Sequence, residues 1–294
     1  MSGVLYHYCS NTSLISMLKS GRLWLSHLSL SNDSMEGEWF LRKMAEEIDD
    51  MMVPEISGGY ILDFSRSLLR EVHSCGFCLS EQGDVLSQWR GYADDGQGVC
   101  IGFQVEDIMN LINSETMMHE ESIDLIKVEY SEEEQRKESR NIIYSVIDLL
   151  KTLNQRDIQR SKNYKISREK DLFADLVSME TESDKTIYRI QDKLSVISTL
   201  LYKYKNPAFF QEQEWRILFS SRSTNSERFS YRSSGNRIIS YFEVDAKSLF
   251  EEGIASVTAG PKNITPESTI SGLLKAHGIR SDRVAISRSS ATYR

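Results

Sequence analysis

Glycine and proline are unevenly used in this chain, and between Val105 and Lys205 there is neither. A stretch lacking both reads as continuous helix and short connections, not as a linker. Cysteine is also scarce. Cys9, Cys75, Cys78 and Cys100 are too few and too scattered to frame a disulfide-rich secreted domain. No run of about eighteen apolar residues is present, so no membrane partner is expected, and the opening residues carry no charged-then-apolar signal. The expected setting is cytoplasmic. Basic charge is short overall. A net charge of −8 argues against a surface coated for nucleic acid. The usual phosphate fingerprints are missing too: no glycine-rich loop ends in Gly-Lys-Ser/Thr, and Gly96-Gln97-Gly98 lacks the third glycine of a dinucleotide turn. These absences argue against kinase and Rossmann chemistry.

The charge that is present is uneven. Residues 200–294 hold 14 Lys and Arg against 9 Asp and Glu, a net of +5, which leaves −13 for residues 1–199. Arg216, Arg222, Arg228, Arg232 and Arg237 stand close together, with Glu227 as the one acid between them. An anionic ligand would meet this C-terminal part, through the Arg- and Ser-rich segment 220–237. A solvated basic loop is the plainer alternative.

Local patterning predicts the elements. Leu5–Cys9 has the aromatic character of a strand, Asn11 or Thr12 can cap a helix carrying Leu14, Ile15, Met17 and Leu18, and Gly21 suits its C-terminal end. Leu23–Ser26 reads as a second strand. Asp33 and Glu36 have capping-box spacing ahead of a helix with Trp39, Phe40, Met44 and Ile48, and Gly58-Gly59 breaks that pattern. Further strands are expected at Cys75–Leu79, Val99–Phe103, Ile126–Tyr130, Ile238–Val244, Ile254–Ala259 and Val284–Ser287. Asp84 is expected to cap a helix through Gln88, Trp89 and Tyr92. Helices are expected at Glu132–Leu153, Lys185–Tyr204 and Glu267–His277, and Ser220–Ser234 reads as an exposed loop. Strands at both ends around a helical middle favour an α+β fold, one domain over residues 1–294 with 105–205 as a helical insertion or lid.

Few constellations carry chemistry. Cys75 and Cys78 have C-x-x-C spacing, but no second half-site completes a zinc site, and in a strand they face opposite ways, so buried strand cysteine is the default. No metal is expected. No nucleophile elbow is present. His7 and Glu214 stand out because one chemistry needs both types. Breaking the N-glycosidic bond of a nicotinamide nucleotide builds positive charge on the ribose, which a carboxylate stabilises, while a histidine orients the nucleotide. The plainer alternatives are a satisfied, half-buried His7 and a Glu214 paired with Arg216 or Lys205.

The segments Leu5–Ser10, Leu23–Ser26, Ser31–Glu36, Cys78–Asp94, Gly98–Phe103 and Lys205–Ile217, with Tyr293-Arg294, occur in order. Together they resemble the bacterial domain of unknown function family 2971 over nearly the whole chain, with 105–200 the least distinctive part. The opening Leu5–Ser10 and Leu14–Leu23 more distantly resemble the first strand and helix of ADP-ribosyltransferases, and Glu212-Gln213-Glu214 resembles their E-x-E. That resemblance implies two packed, mostly antiparallel sheets with NAD, as substrate, in the cleft between them. It implies Glu214 as the catalytic carboxylate, Glu212 acting on the acceptor, and His7 and Ser10, beside Tyr8, at the ribose and nicotinamide. Trp24 and Tyr92 are the candidates to stack on nicotinamide. Arg90 and Arg216 are candidates for the phosphates. It further implies a bacterial toxin or phage-defence effector acting on a protein, nucleic acid or nucleotide, with an antitoxin or defence-system partner. A non-catalytic module binding nucleic acid or a phage component is the alternative, and a metal-dependent nuclease using Asp33, Glu36 and Glu214 is a third.

Overall fold

The computed structural model describes residues 3–31, 33, 35–118, 121–161, 181–222, 228–234 and 236–293. Leu5 and Cys9 point into one core and Tyr8 into the other side, as alternation along β1 (Val4–Cys9) requires. Helix α1 (Asn11–Ser20) is capped one residue earlier than expected, by Ser10, whose hydroxyl accepts from the Ser13 amide. Gly21, at φ 66°, ends the helix in the left-handed conformation and leads into β2 (Arg22–His27).

The expected capping box does not form. Asp33 instead accepts from the Met35 amide, Gly37 precedes α2 (Glu38–Asp50), and the Glu36 carboxylate turns inward to an arginine. The Gly58-Gly59 pair does not break helix either, because α3 (Glu55–Glu71) runs straight through it. A Cβ at Gly58 would sit 2.7 Å from Ile48 Cγ2, so glycine lets α3 lie close against α2. Packing outweighs the roughly 1 kcal/mol that glycine costs in a helix.

Next come β3 (His73–Ser80), α4 (Leu86–Tyr92), β4 (Val99–Gln104), α5 (Val105–Ser114) and β5 (Glu121–Lys127). Only the end of β5 overlaps the strand expected at Ile126–Tyr130; beyond it Glu129 makes an isolated bridge to Tyr204. The helical middle consists of α6 (Glu132–Thr152), α7 (Gln155–Ser161), α8 (Glu182–Ser195) and α9 (Ile197–Lys203). The chain closes with β6 (Glu214–Ser221), β7 (Ser230–Ser234), β8 (Arg237–Asp245), α10 (Lys247–Glu252), β9 (Ile254–Ala259), α11 (Glu267–Ala276) and β10 (Ala285–Arg288). The loop expected at Ser220–Ser234 is thus mostly strand, with 223–227 outside the described residues. No helix among the described residues is long and apolar enough to cross a membrane.

The fold is mixed α/β around a large, mostly antiparallel sheet. The strands form one hydrogen-bonded network rather than the two separate sheets expected, in the order β10-β9-β4-β1-β3-β2-β8-β7, with β6 and β5 branching from β3. The β9–β10 pair is parallel. The branch has a simple cause. Strand β6 occupies one whole edge of β3, from His73↔Ser221 to Ser80↔Glu214. The opposite edge is shared: β1 pairs there at Tyr6↔Ser80, and β2 at Ser26↔Gly76 and His27↔Cys75. Strands β1 and β2 therefore diverge, leaving Phe77–Leu79 without a strand partner on that edge among the described residues.

Each face of the sheet has its own core. Helices α1, α5, α10 and α11 cover Ile217 and Phe219 of β6, while α2, α3, α6, α8 and α9 cover Leu218. A smaller cluster sets Trp89 of α4 edge-on against Tyr8. Asp84 does not cap α4 as expected. Its carboxylate accepts from Trp89 Nε1 at 2.7 Å and from the Ser290 amide and the Ser289 and Ser290 hydroxyls, tying the C-terminal tail to that helix. Asp84→Ala leaves the fully buried Trp89 indole without its acceptor. A loss of about 1–3 kcal/mol is expected in denaturant unfolding, with faster proteolysis of the tail.

Candidate functional site

Where β1 and β2 part, a cleft of about 330 Å³ opens, a volume within the range of small-molecule sites. His7 fills the gap itself. Its Nδ1 is 2.9 Å from the Cys78 carbonyl, a group the sheet leaves unpaired there, and its ring stacks on Phe77 at 4.0 Å. A carbonyl can only accept, so Nδ1 carries the proton and Nε2 is left as the acceptor a ligand would meet. Loss of solvation outweighs the bond to the Cys78 carbonyl and pushes the imidazole down to about 4. His7 is therefore neutral at pH 7.

The sign of the pH effect follows. An unfolded histidine titrates near 6.5, so between about pH 6.5 and 4 the unfolded chain binds the extra proton and stability falls as pH falls. The melting temperature of wild type is expected to drop more steeply over that window than that of His7→Gln. Parallel thermal melts check it, and equal slopes would mean that His7 does not titrate this way.

The cleft floor is built from β3 and β6. The pairings Ser80↔Glu214 and Cys78↔Arg216 put all four side chains on one face. Arg216, 1% exposed, uses every donor it has: Nε to Glu214 Oε1 at 2.6 Å, Nη2 to Glu214 Oε2 at 2.9 Å, Nη1 and Nη2 to the Glu36 carboxylate at 2.6 and 3.0 Å, and Nη1 to the Tyr202 carbonyl at 2.9 Å. Burial alone would raise the Glu214 carboxyl, but the Arg216 and Lys205 charges overcome it and hold it at about 2.

Glu212 reaches the same place by another route. It ends the 3-10 turn Pro207–Glu212, and Gln213, at φ 43°, kinks the chain before β6 begins. Glu212 thus lies outside β6, and the two glutamates do not share a strand face. They converge on Lys205, whose Nζ bonds Glu212 at 2.5 Å and Glu214 at 3.0 Å. Glu212 also accepts from the Tyr92 hydroxyl at 2.9 Å. Burial opposes the Lys205 charge, yet Glu214 and Glu212 raise its pKa. Burial pushes the Glu36 carboxyl up against the pull of Arg216. With all three carboxylates (Glu36, Glu212, Glu214) ionised around the two cations (Lys205, Arg216), one negative charge is left over within this cluster.

Of the residues singled out in the sequence, His7, Tyr8, Trp24, Asp33, Glu36, Tyr92, Glu212, Glu214 and Arg216 line the cleft. Two others, Arg90 and Ser10, do not, and the roles expected of Arg216 and Tyr8 need correction. Arg90 is exposed outside it, 5.6 Å from the Tyr293 ring, because it sits on the far side of α4 from Gln88 and Trp89. Ser10 is spent on capping α1, and Ser13 takes the lining position. Arg216 has no donor left for a phosphate. Tyr8 is committed as well, donating to the Gln82 carbonyl and accepting from the Val85 amide. Asn32, part of the Ser31–Glu36 motif, and Arg294, the last of the matching residues, lie outside the described residues. The metal reading of Asp33, Glu36 and Glu214 also fails on geometry, since the Arg216 guanidinium stands where that reading needs a cation.

Sequence reasoning missed several lining residues. Lys205 was read only as a partner for Glu214, Asp33 only as part of the metal reading, and Arg232 and Arg237 only as part of the basic segment 220–237, while Cys78 was not assigned to the site. Alternation along β3 and β7 carried the signal for Cys78 and Arg232, but β7 itself was read as loop. Cys75 is a buried strand cysteine as expected, but Cys78 is exposed to the cleft, where loss of solvation and the nearby Glu214 push its thiol up, so it stays protonated.

No curated protein matches this chain, and no solved structure does. Residues 88–217 match the model of a family described as Protein of unknown function (DUF2971), a span that holds Tyr92, Lys205, Glu212, Glu214 and Arg216 of the cleft.

Proposed function

We propose that the cleft binds NAD and breaks its nicotinamide–ribose bond, as an ADP-ribosyltransferase-like enzyme. The observation that carries this reading is the meeting of neutral His7, ionised Glu214 and the aromatic Trp24 and Tyr92 in one cleft, from positions scattered over two hundred residues. Each has a task. The His7 Nε2 acceptor orients the nicotinamide amide or a ribose hydroxyl. The excess negative charge of the Glu36, Glu212 and Glu214 cluster favours the cation that develops at ribose C1′. As the C1′–N bond breaks, its electron pair leaves with nicotinamide, which departs neutral. An acceptor nucleophile then bonds to C1′ and gives its proton to Glu212.

The resemblance to ADP-ribosyltransferases supplies the proposed setting, a toxin or phage-defence effector. A second reading rests on the same cluster. Glu214 makes three bonds to cations, as a purely structural carboxylate would, and on that reading the cleft belongs to a non-catalytic binding module. Purified protein incubated with adenine-labelled NAD and cell lysate separates the two. Nicotinamide release by wild type, lost in Glu214→Gln, supports the enzyme. Ligand binding without release supports the binding module.

A further inference from the structure

We propose that Arg232 and Arg237, with the Trp24 indole N–H, form the phosphate subsite of the cleft and take the pyrophosphate of a dinucleotide. This deepens the NAD reading and rests on it. The register places the groups together. Arg232↔Ile239 and Ser234↔Arg237 pair β7 with β8, so Arg232, Ile239 and Arg237 share a face. Ser26↔Tyr241 and Trp24↔Glu243 bring Trp24 and Ser26 of β2 to that same face. Trp24, Ser26, Arg232, Arg237 and Ile239 line the cleft.

The hydrogen bonds of Arg232 and Arg237 go to neutral groups, as those of Arg288 also do. Arg216, Arg136, Arg140 and Arg228 each meet a carboxylate. Arg232 and Arg237 form no ion pair among the described residues. Arg232 Nη2 donates to the neutral Ser26 hydroxyl at 3.0 Å and Arg237 Nη1 to the Leu30 carbonyl at 3.2 Å. Glu243, the nearer of two carboxylates on that face of β8, is turned to Arg22 at 3.6 Å.

A second observation is independent of charge. The Arg232 Nε and Trp24 Nε1 donors are buried, yet neither has an acceptor. Two unneutralised guanidiniums and an unmatched indole donor on one cleft wall call for an acceptor-only, anionic group, and a phosphate is that group. Asp33 Oδ2, also buried without a partner and also lining the cleft, is the opposite kind of atom and suits a ribose hydroxyl. Donors for phosphate and an acceptor for sugar in one cleft describe a nucleotide better than free phosphate.

Calorimetric titration of wild type, Arg232→Gln, Arg237→Gln and the double variant tests this. The probes are ADP-ribose, adenosine and inorganic pyrophosphate. Each single substitution is expected to weaken ADP-ribose binding about ten-fold, and the double variant more, with adenosine unaffected. Arg237→Lys retains the charge and is expected to recover part of the affinity, which separates a lost contact from a disturbed fold. ADP-ribose binding unchanged in a double variant that melts like wild type overturns the subsite and leaves the NAD reading standing. Pyrophosphate binding that depends on both arginines, without nicotinamide release, upholds an anion subsite and sinks the NAD reading. Wild type that binds neither ADP-ribose nor pyrophosphate overturns the subsite.

Discussion

Glu214→Gln is expected to lower nicotinamide release about 10²–10³-fold while the protein stays folded. Both halves of that expectation come from the charge count around Arg216. With Glu214 ionised, three carboxylates face two cations; with glutamine there, Arg216 still holds Glu36 and Lys205 still holds Glu212. The buried network stays neutralised. Glutamine offers one acceptor where the carboxylate offered two, so Arg216 or Lys205 gives up a bond, and roughly 1–3 kcal/mol of stability goes with it. The reaction suffers more, because the site loses its surplus negative charge where positive charge develops. Wild-type turnover in a folded Glu214→Gln protein would sink the assignment of this carboxylate.

Arg216→Met is expected to be the most destabilising single change in the cleft. Removing this guanidinium leaves Glu36, Glu212 and Glu214 around Lys205 alone, with the side chains of Glu36 and Glu214 4% and 6% exposed. Breaking a buried pair by deleting one partner costs about 3–5 kcal/mol. For a chain of this size that is a melting temperature lower by on the order of 10 °C. Circular dichroism melts read it directly. Adding Glu36→Gln should restore part of the loss, since it removes one of the stranded charges. A single variant that melts like wild type would mean that the guanidinium does not anchor this cluster.

Sequence reasoning reached some elements and not others, for physical reasons. The strands around His7, Cys75 and Ile254 and the helix from Glu132 were legible because alternation or helical spacing alone decides them. Gly58-Gly59 misled because the contact it serves, with Ile48, belongs to another helix. Asp33 and Glu36 had the spacing of a cap, but Glu36 is claimed by Arg216, 180 positions away. At the site, His7 and Glu214 were found by the chemistry they share. Arg232 was named in the basic segment, but its place on a cleft wall was hidden because strand β7 is polar and owes its existence to pairing with β8. Gln213 was opaque too, since nothing in Glu212-Gln213-Glu214 announces a left-handed kink between the two acids.

The shared edge of β3 has a kinetic consequence. Among the described residues, strands β1, β2 and β6 are joined by backbone pairing only through this one strand, so His7 and Glu214 come together only after the chain between them, some two hundred residues, has been brought to closure. Non-local pairing of that kind is slow, because the entropy of closing the loop is lost before the contacts that reward it exist. Helix α6 and its neighbours can form early from local contacts, whereas the cleft is expected to form late. A partly folded chain would therefore carry much of its helix and none of its site.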